Sequence, residues 1–237
     1  MQRSYLKFDS TSLGRPMELL HFGHAGLPLL VFPTSEGRFF DFENHGMVAA
    51  LTEPIDQGRV QLFCLDSVDS ESWYNRRIPP RHRLLRHMEY ERYLAEEIPL
   101  LVASRTSDTR LGTFGCSFGG YHAMNLALRH PERFSFACAF SGLFDLSAFL
   151  GSYYDQDCYF HFPAHFLPKL TDPQLLARMR RNRYILTTGL DDPCLQPNLN
   201  LHNIFLSKEI PHHFEASTAA RSHDWPAWQQ LLVRLIP

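Results

Sequence analysis

The residues best placed to do chemistry lie in one stretch, Leu111-Gly-Thr-Phe-Gly115-Cys116-Ser117-Phe118-Gly119-Gly120. It contains G-x-S-x-G as Gly115, Ser117 and Gly119. When an apolar strand precedes this pattern and a helix follows it, the serine sits on a strained strand-to-helix turn with its hydroxyl exposed. Glycines on either side remove side chains that would collide at so tight a turn. The helix N-terminus supplies unpaired N–H groups and a positive dipole end for a developing oxyanion. The chemistry is nucleophilic attack on an acyl carbonyl. Phe118 N–H is the natural first oxyanion donor. A second comes from the loop after an early strand, Pro33-Thr34-Ser35-Glu36-Gly37, with Ser35 the favoured residue.

A serine needs a base, and a histidine base needs an acid. In this arrangement the chain order is Ser, then Asp or Glu, then His. The sequence has 13 histidines. His122 and His130 lie on the helix leaving the turn and point away from Ser117. His161 and His165 form HxxxH, but Pro163 interrupts them, so they read as lid or core residues rather than a metal pair. His212 and His213 are adjacent on a strand and face opposite ways. His223 lies between the last strand and the last helix, where the base belongs. The acid should follow the next-to-last strand, and Asp191 and Asp192 both do; one of them has a turn or capping role. Gly189 ends that strand and makes Asp192 the fourth position of a G-x-x-D turn. Pro193 then restricts Asp192 to extended backbone values, so the acid is assigned to Asp192.

The elements around these residues must hold them in place. Short apolar runs alternate with helical patterns, the rhythm of an α/β sheet protein. Arg59–Leu65, Leu111–Gly115, Phe134–Phe140 and Tyr184–Thr188 read as buried parallel strands, with Ile210–Ala216 a weaker last strand. Met17–Phe22 and Leu27–Phe32 flank Gly23 and Gly26 and read as an antiparallel hairpin. Phe42–Gln57, Leu84–Ser104 (kinked or split at Pro99), Phe118–Arg129, Leu195–Lys208 and Trp225–Leu235 read as helices. Gly151–Leu170 fits neither period and reads as an aromatic lid. Within it Tyr159 and Phe160 are expected to line the substrate pocket. Trp73 and Tyr74, in the loop Asp66–Asn75 at the sheet's C-terminal edge, are expected to do so too, or to pack beneath that loop.

Composition narrows the class. The chain has 237 residues, which favours one domain of this type over two. It is 44% hydrophobic and 20% charged, ordinary for a globular protein. A net charge of −2 gives no basic excess for nucleic acid or an anionic membrane. The five cysteines are widely spaced with no CxxC, which argues against a disulfide framework or a zinc site. The N-terminus has no apolar stretch of signal-peptide length, and no run approaches the ~20 residues that span a bilayer. A cytoplasmic enzyme that needs no cofactor is expected. Its oligomeric state is left open, a homodimer included.

GCSFGGYHAMNLALRHPERF, TTGLDDPCL and SHDWPAWQQLL resemble the esterase family of α/β-hydrolases. That family includes feruloyl esterases, esterase D type S-formylglutathione hydrolases and antigen 85 mycolyltransferases. VFPTSEGRFFDFENHGM and CLDSVDSESWYNRR resemble a cytosolic branch of it. The resemblance runs from about Met17 to Trp228. It implies the α/β-hydrolase fold, a mostly parallel sheet with helices on both faces, and a triad of Ser117, Asp192 and His223. The early loop departs from the pattern, reading Pro-Thr-Ser where many relatives have His-Gly or Asp-Gly. The expected activity is hydrolysis of a small-molecule ester through an acyl-enzyme. Acyl transfer to a non-water acceptor by the same triad, and a silent hydrolase fold that only binds, are the alternatives.

Overall fold

The computed structural model describes residues 1–108 and 110–236. Eight strands form one sheet: β1 (Arg3–Ser10), β2 (Arg15–Phe22), β3 (Leu27–Phe32), β4 (Val60–Leu65), β5 (Leu111–Cys116), β6 (Phe134–Phe140), β7 (Arg183–Gly189) and β8 (His212–Ser217). Their spatial order is β1-β2-β4-β3-β5-β6-β7-β8. β2 pairs antiparallel with β1 and β4, and every pair from β4 to β8 is parallel.

The expected hairpin between Met17–Phe22 and Leu27–Phe32 does not form. β4 inserts between the two strands, pairing Leu62–Leu65 with Leu19–Phe22 on one side and Val60–Cys64 with Leu27–Val31 on the other. Every residue of β4 is buried, so it needs neighbours on both edges and cover on both faces. β2 hairpins instead with β1, an edge strand whose Tyr5 and Lys7 face solvent.

Helices cover both faces. On one, α4 (Pro80–Arg92), α5 (Ile98–Ala103), α6 (Phe118–Arg129) and α11 (Leu195–Ser207) pack on Leu19, Leu30, Phe63 and Ala137. On the other, α1 (Asp41–Asn44), α2 (Met47–Ala50), α3 (Thr52–Asp56) and α12 (Trp225–Leu235) pack on Leu20, Val31, Leu62 and Phe114. The expected helix Phe42–Gln57 is three short pieces. Gly46 at φ 73° breaks it first, and Leu51 joins the second piece to the third. Ahead of Pro99, Tyr93–Glu97 widens into a π-helical turn that absorbs the missing N–H.

Four further helices, α7 (Ser147–Leu150), α8 (Gln156–His161), α9 (Pro163–Lys169) and α10 (Pro173–Met179), connect β6 to β7. Gly151–Leu170 therefore contains two short helices. Cys158 and Phe162 from it join Trp73, Phe118, Tyr121 and Leu150 in a third apolar cluster.

Candidate active site

β5 delivers Ser117 at φ 56°, ψ −123°, a left-handed backbone state that few non-glycine residues adopt. The glycines make the turn feasible by close approach. A Cβ on Gly115 would lie 2.2 Å from the Gly119 carbonyl carbon, and one on Gly119 would lie 2.5 Å from the Pro33 carbonyl oxygen. The second contact also fixes the Pro33–Gly37 loop against the elbow. Ser117 N–H donates to the Phe140 carbonyl at 2.8 Å, locking the turn to β6.

β7 ends at Gly189, and its loop is sewn to the loop after β8. Leu190 N–H donates to the Ser217 carbonyl at 3.2 Å and Asp191 N–H to the Arg221 carbonyl at 3.1 Å. This pairing brings Asp192 and His223 together. Asp224 caps α12 by accepting from Ala227 N–H at 3.0 Å, and Pro226 occupies its first turn, so the residue before the cap is held firmly.

His223 Nε2 lies 2.9 Å from Ser117 Oγ, and His223 Nδ1 lies 2.9 Å from Asp192 Oδ1. The Asp192 side chain is fully buried. Burial pushes its carboxyl up, but hydrogen bonds from His223, Ser141 and the Cys194 N–H outweigh that and hold it below the usual carboxylate range. An ionised Asp192 only accepts, so His223 Nδ1 carries the proton and Nε2 turns its lone pair to the serine hydroxyl. Asp191 is exposed and paired with Arg221.

Two further residues, Ser141 and Trp228, buttress Asp192 and His223. Ser141, just beyond β6 at φ 56°, donates its hydroxyl to Asp192 Oδ2 and accepts from Trp228 Nε1–H at 3.0 Å. The Trp228 ring stands edge-on to His223 at 5.0 Å between centroids. The Trp-x-x-Trp at 225–228 was a visible signal; the serine at a strand end was not.

Phe118 N–H, in the first turn of α6, has no acceptor among the described residues. Ser35 is linked to Phe118 through Tyr74: its Oγ accepts from Tyr74 O–H at 2.7 Å, and the Tyr74 ring packs on the Phe118 ring at 5.3 Å. Phe149, which the sequence did not single out, packs on Phe118 at 5.4 Å and Tyr74 at 5.2 Å.

Of the four residues named for the pocket, Trp73 takes the second of its two expected roles, and Tyr159 and Phe160 have partners away from the elbow. Trp73 has no exposure and packs beneath the loop against His87, Tyr121 and Phe162. The Phe160 carbonyl accepts from Arg129 at 2.6 Å. Arg129 ends α6, about 18 Å of helix from Ser117. Tyr159 packs on the main core beside Lys169.

The discounted histidines have other partners. His122 is buried against Asp69 at 2.8 Å. His161 is buried and lies 2.8 Å from Glu91, which also accepts from Arg129 at 2.6 Å and lies 2.9 Å from His130. His87, Glu91 and His161 bring potential ligand atoms within 4.8 Å of one another. The Arg129 guanidinium already neutralises that carboxylate, so the group reads as a buried ion network.

This sheet order, with the serine on the elbow after its fifth strand, defines the α/β-hydrolase fold. A family model described as "Putative esterase" matches residues 42–237, and the chain belongs to that family. It is a carboxylic ester hydrolase. Similar solved structures include a ferulic acid esterase, with TM-score 0.79 and 17% identity over 100% of this chain and 96% of that one. An S-formylglutathione hydrolase from Staphylococcus aureus has TM-score 0.74 and 18% identity over 99% and 95%. Mycobacterium tuberculosis MPT51 has TM-score 0.72 and 18% identity over 100% of both chains. At these identities the likeness speaks for the fold. No curated protein matches the chain. No helix among the described residues is long and apolar enough to cross a membrane.

Proposed function

We propose that the chain hydrolyses small-molecule carboxylic esters through Ser117, His223 and Asp192. The observation that carries this reading is the relay of two 2.9 Å contacts from Asp192 through His223 to a serine on a strained elbow. Ser117 Oγ attacks the ester carbonyl as His223 Nε2 takes its proton. Asp192 fixes the tautomer and stabilises the imidazolium. The oxyanion meets Phe118 N–H and, from the Pro33–Gly37 loop, Ser35 N–H. The tetrahedral intermediate collapses, His223 protonates the departing alcohol, and Ser117 is left acylated. Water, activated by His223, releases the acid. Every step is a proton or acyl transfer, so no cofactor is required. The five free cysteines suit a reducing compartment, and we place the enzyme in the cytoplasm. The test is Ser117→Ala, which should lower kcat on p-nitrophenyl acetate by several orders of magnitude while the fold persists. Near-normal turnover in that variant would refute the reading.

A further inference from the structure

Two arginines on the loop that carries Tyr74, Arg76 and Arg77, and a third on α4, Arg83, have no carboxylate partners among the described residues. Arg76 and Arg77 are exposed and line, with Ser70, Tyr74 and Asn75, a depression of roughly 380 Å³. Arg83 lies nearby and is 93% buried, that is, 7% exposed. Its Nη1 donates to the Phe149 carbonyl at 2.6 Å and reaches the Trp73 carbonyl at 3.5 Å, while its buried Nε has no partner. Burial and the neighbouring charge of Arg76 both disfavour its charged form. Among the described residues none of the three forms an ion pair. By contrast Arg81 holds Asp155 and Asp157, and Arg86 holds Glu71 and Glu89. The nearby Asp69 is engaged by His122. The chain as a whole carries a net −2, so two exposed arginines without ion pairs run against its average; the carboxylates whose charge is felt at Tyr74 are Asp69 and Glu36.

Arg76 and Arg77 are carried on a hydrogen-bonded turn ahead of α4, which carries Arg83. Trp73 anchors the turn from below, Asn75 N–H donates to the Ser72 carbonyl at 3.0 Å, and Arg77 N–H donates to Asn75 Oδ1 at 3.2 Å. An anion bound there would meet a preorganised base. Tyr74 is a shared wall: it lines the depression and also packs on Phe118, the residue after Ser117. Guanidinium groups pair with carboxylates through parallel N–H donors, and a patch of one sign raises the local concentration of its counter-ion.

We propose that this depression binds a carboxylate on the ester substrate, so that the enzyme prefers esters carrying a free acid group near the scissile bond. The inference rests on the ester-hydrolase reading above. Mono-p-nitrophenyl adipate and its methyl ester differ only in that charge on the acyl side. 4-Acetoxybenzoate and its methyl ester place it on the leaving side. In at least one pair kcat/KM should favour the acid by about tenfold at low salt, and added salt should shrink the ratio. The double variant Arg76→Gln, Arg77→Gln should bring that ratio close to one, while Arg178→Gln, an exposed arginine elsewhere, should leave it as it was. A ratio at or below one in both pairs, or a preference that survives the double variant, overturns the inference and leaves the esterase reading standing. Hydrolysis that persists in Ser117→Ala overturns both.

Discussion

Replacing Asp192 by Asn separates the two adjacent aspartates, and the cost follows from the contacts. Asp192 accepts from His223 Nδ1–H at 2.9 Å and Cys194 N–H at 2.6 Å on one oxygen, and from Ser141 on the other. Asparagine offers one acceptor oxygen and one NH₂ group. If the NH₂ faces His223 and Cys194, donors meet donors. His223 must then take the other tautomer, with Nε2–H aimed at Ser117 and no base available. The same substitution in a serine protease costs ~10⁴ in kcat. If the NH₂ faces Ser141, the tautomer survives but the imidazolium loses its carboxylate. Two charges about 4 Å apart at an effective dielectric near 20 interact by ~4 kcal/mol, a factor of about 10³. Asp192→Asn should therefore lose about 10³- to 10⁴-fold in kcat. Asp191→Asn breaks only an exposed pair with Arg221 and should lose less than about twofold. Steady-state hydrolysis of p-nitrophenyl acetate by both purified variants, with thermal melts to establish folding, reads the difference. A loss below tenfold in the Asp192 variant, or a larger loss in the Asp191 variant, would refute the reasoning.

Ser141→Ala removes the hydroxyl that joins Trp228 to Asp192, and kcat/KM should fall by about tenfold, the value of one hydrogen bond to a charged group; an unchanged value would remove Ser141 from the site. Phe149→Ala should change the acyl-length profile, since that ring touches Phe118, whereas Phe160→Ala at the far end of α6 should not; a shift only in the second would reverse the placement of the pocket. Glu91 is buried, which pushes its carboxyl up, yet hydrogen bonds from His130 and His161 with the charge of Arg129 hold it well below the usual range. Its contribution is thus present above the unfolded value near ~4.3 and is lost as pH falls through the folded value. Glu91→Gln should cost about 3 kcal/mol in urea unfolding at pH 7, with the gap to wild type closing below about pH 4; a gap that stays constant would count against the ion network. Hydrolysis should survive EDTA, because the base in the proposed mechanism is His223; a rate lost to EDTA and restored by a divalent ion would contradict this.

The parallel strands were legible because strands covered on both faces must be apolar throughout, as β4 and β5 are. β1 carries a weaker signal, because its Tyr5, Lys7 and Asp9 are exposed and only Leu6 and Phe8 alternate with them, as on an exposed edge. The order β2-β4-β3 is a long-range choice that a local glycine turn does not encode. The candidates Ser117 and His223 were legible because chain order defines their loop positions, whereas preferring Asp192 to Asp191 rested on Gly189 and Pro193 beside it. Ser141 meets Asp192 across 51 residues, and Trp73 is buried by helices remote in sequence, so neither role shows in local pattern. The placement of Tyr159 and Phe160 turned on how α8 leads into Pro163, a matter of tertiary packing.

The central claim, that Ser117 becomes covalently acylated, is tested most directly by intact mass and peptide mapping after reaction with a fluorophosphonate. The account predicts one adduct per chain, located on Ser117, formed slowly in Asp192→Asn and absent in Ser117→Ala. An adduct on another residue, or labelling undiminished in Ser117→Ala, would contradict it.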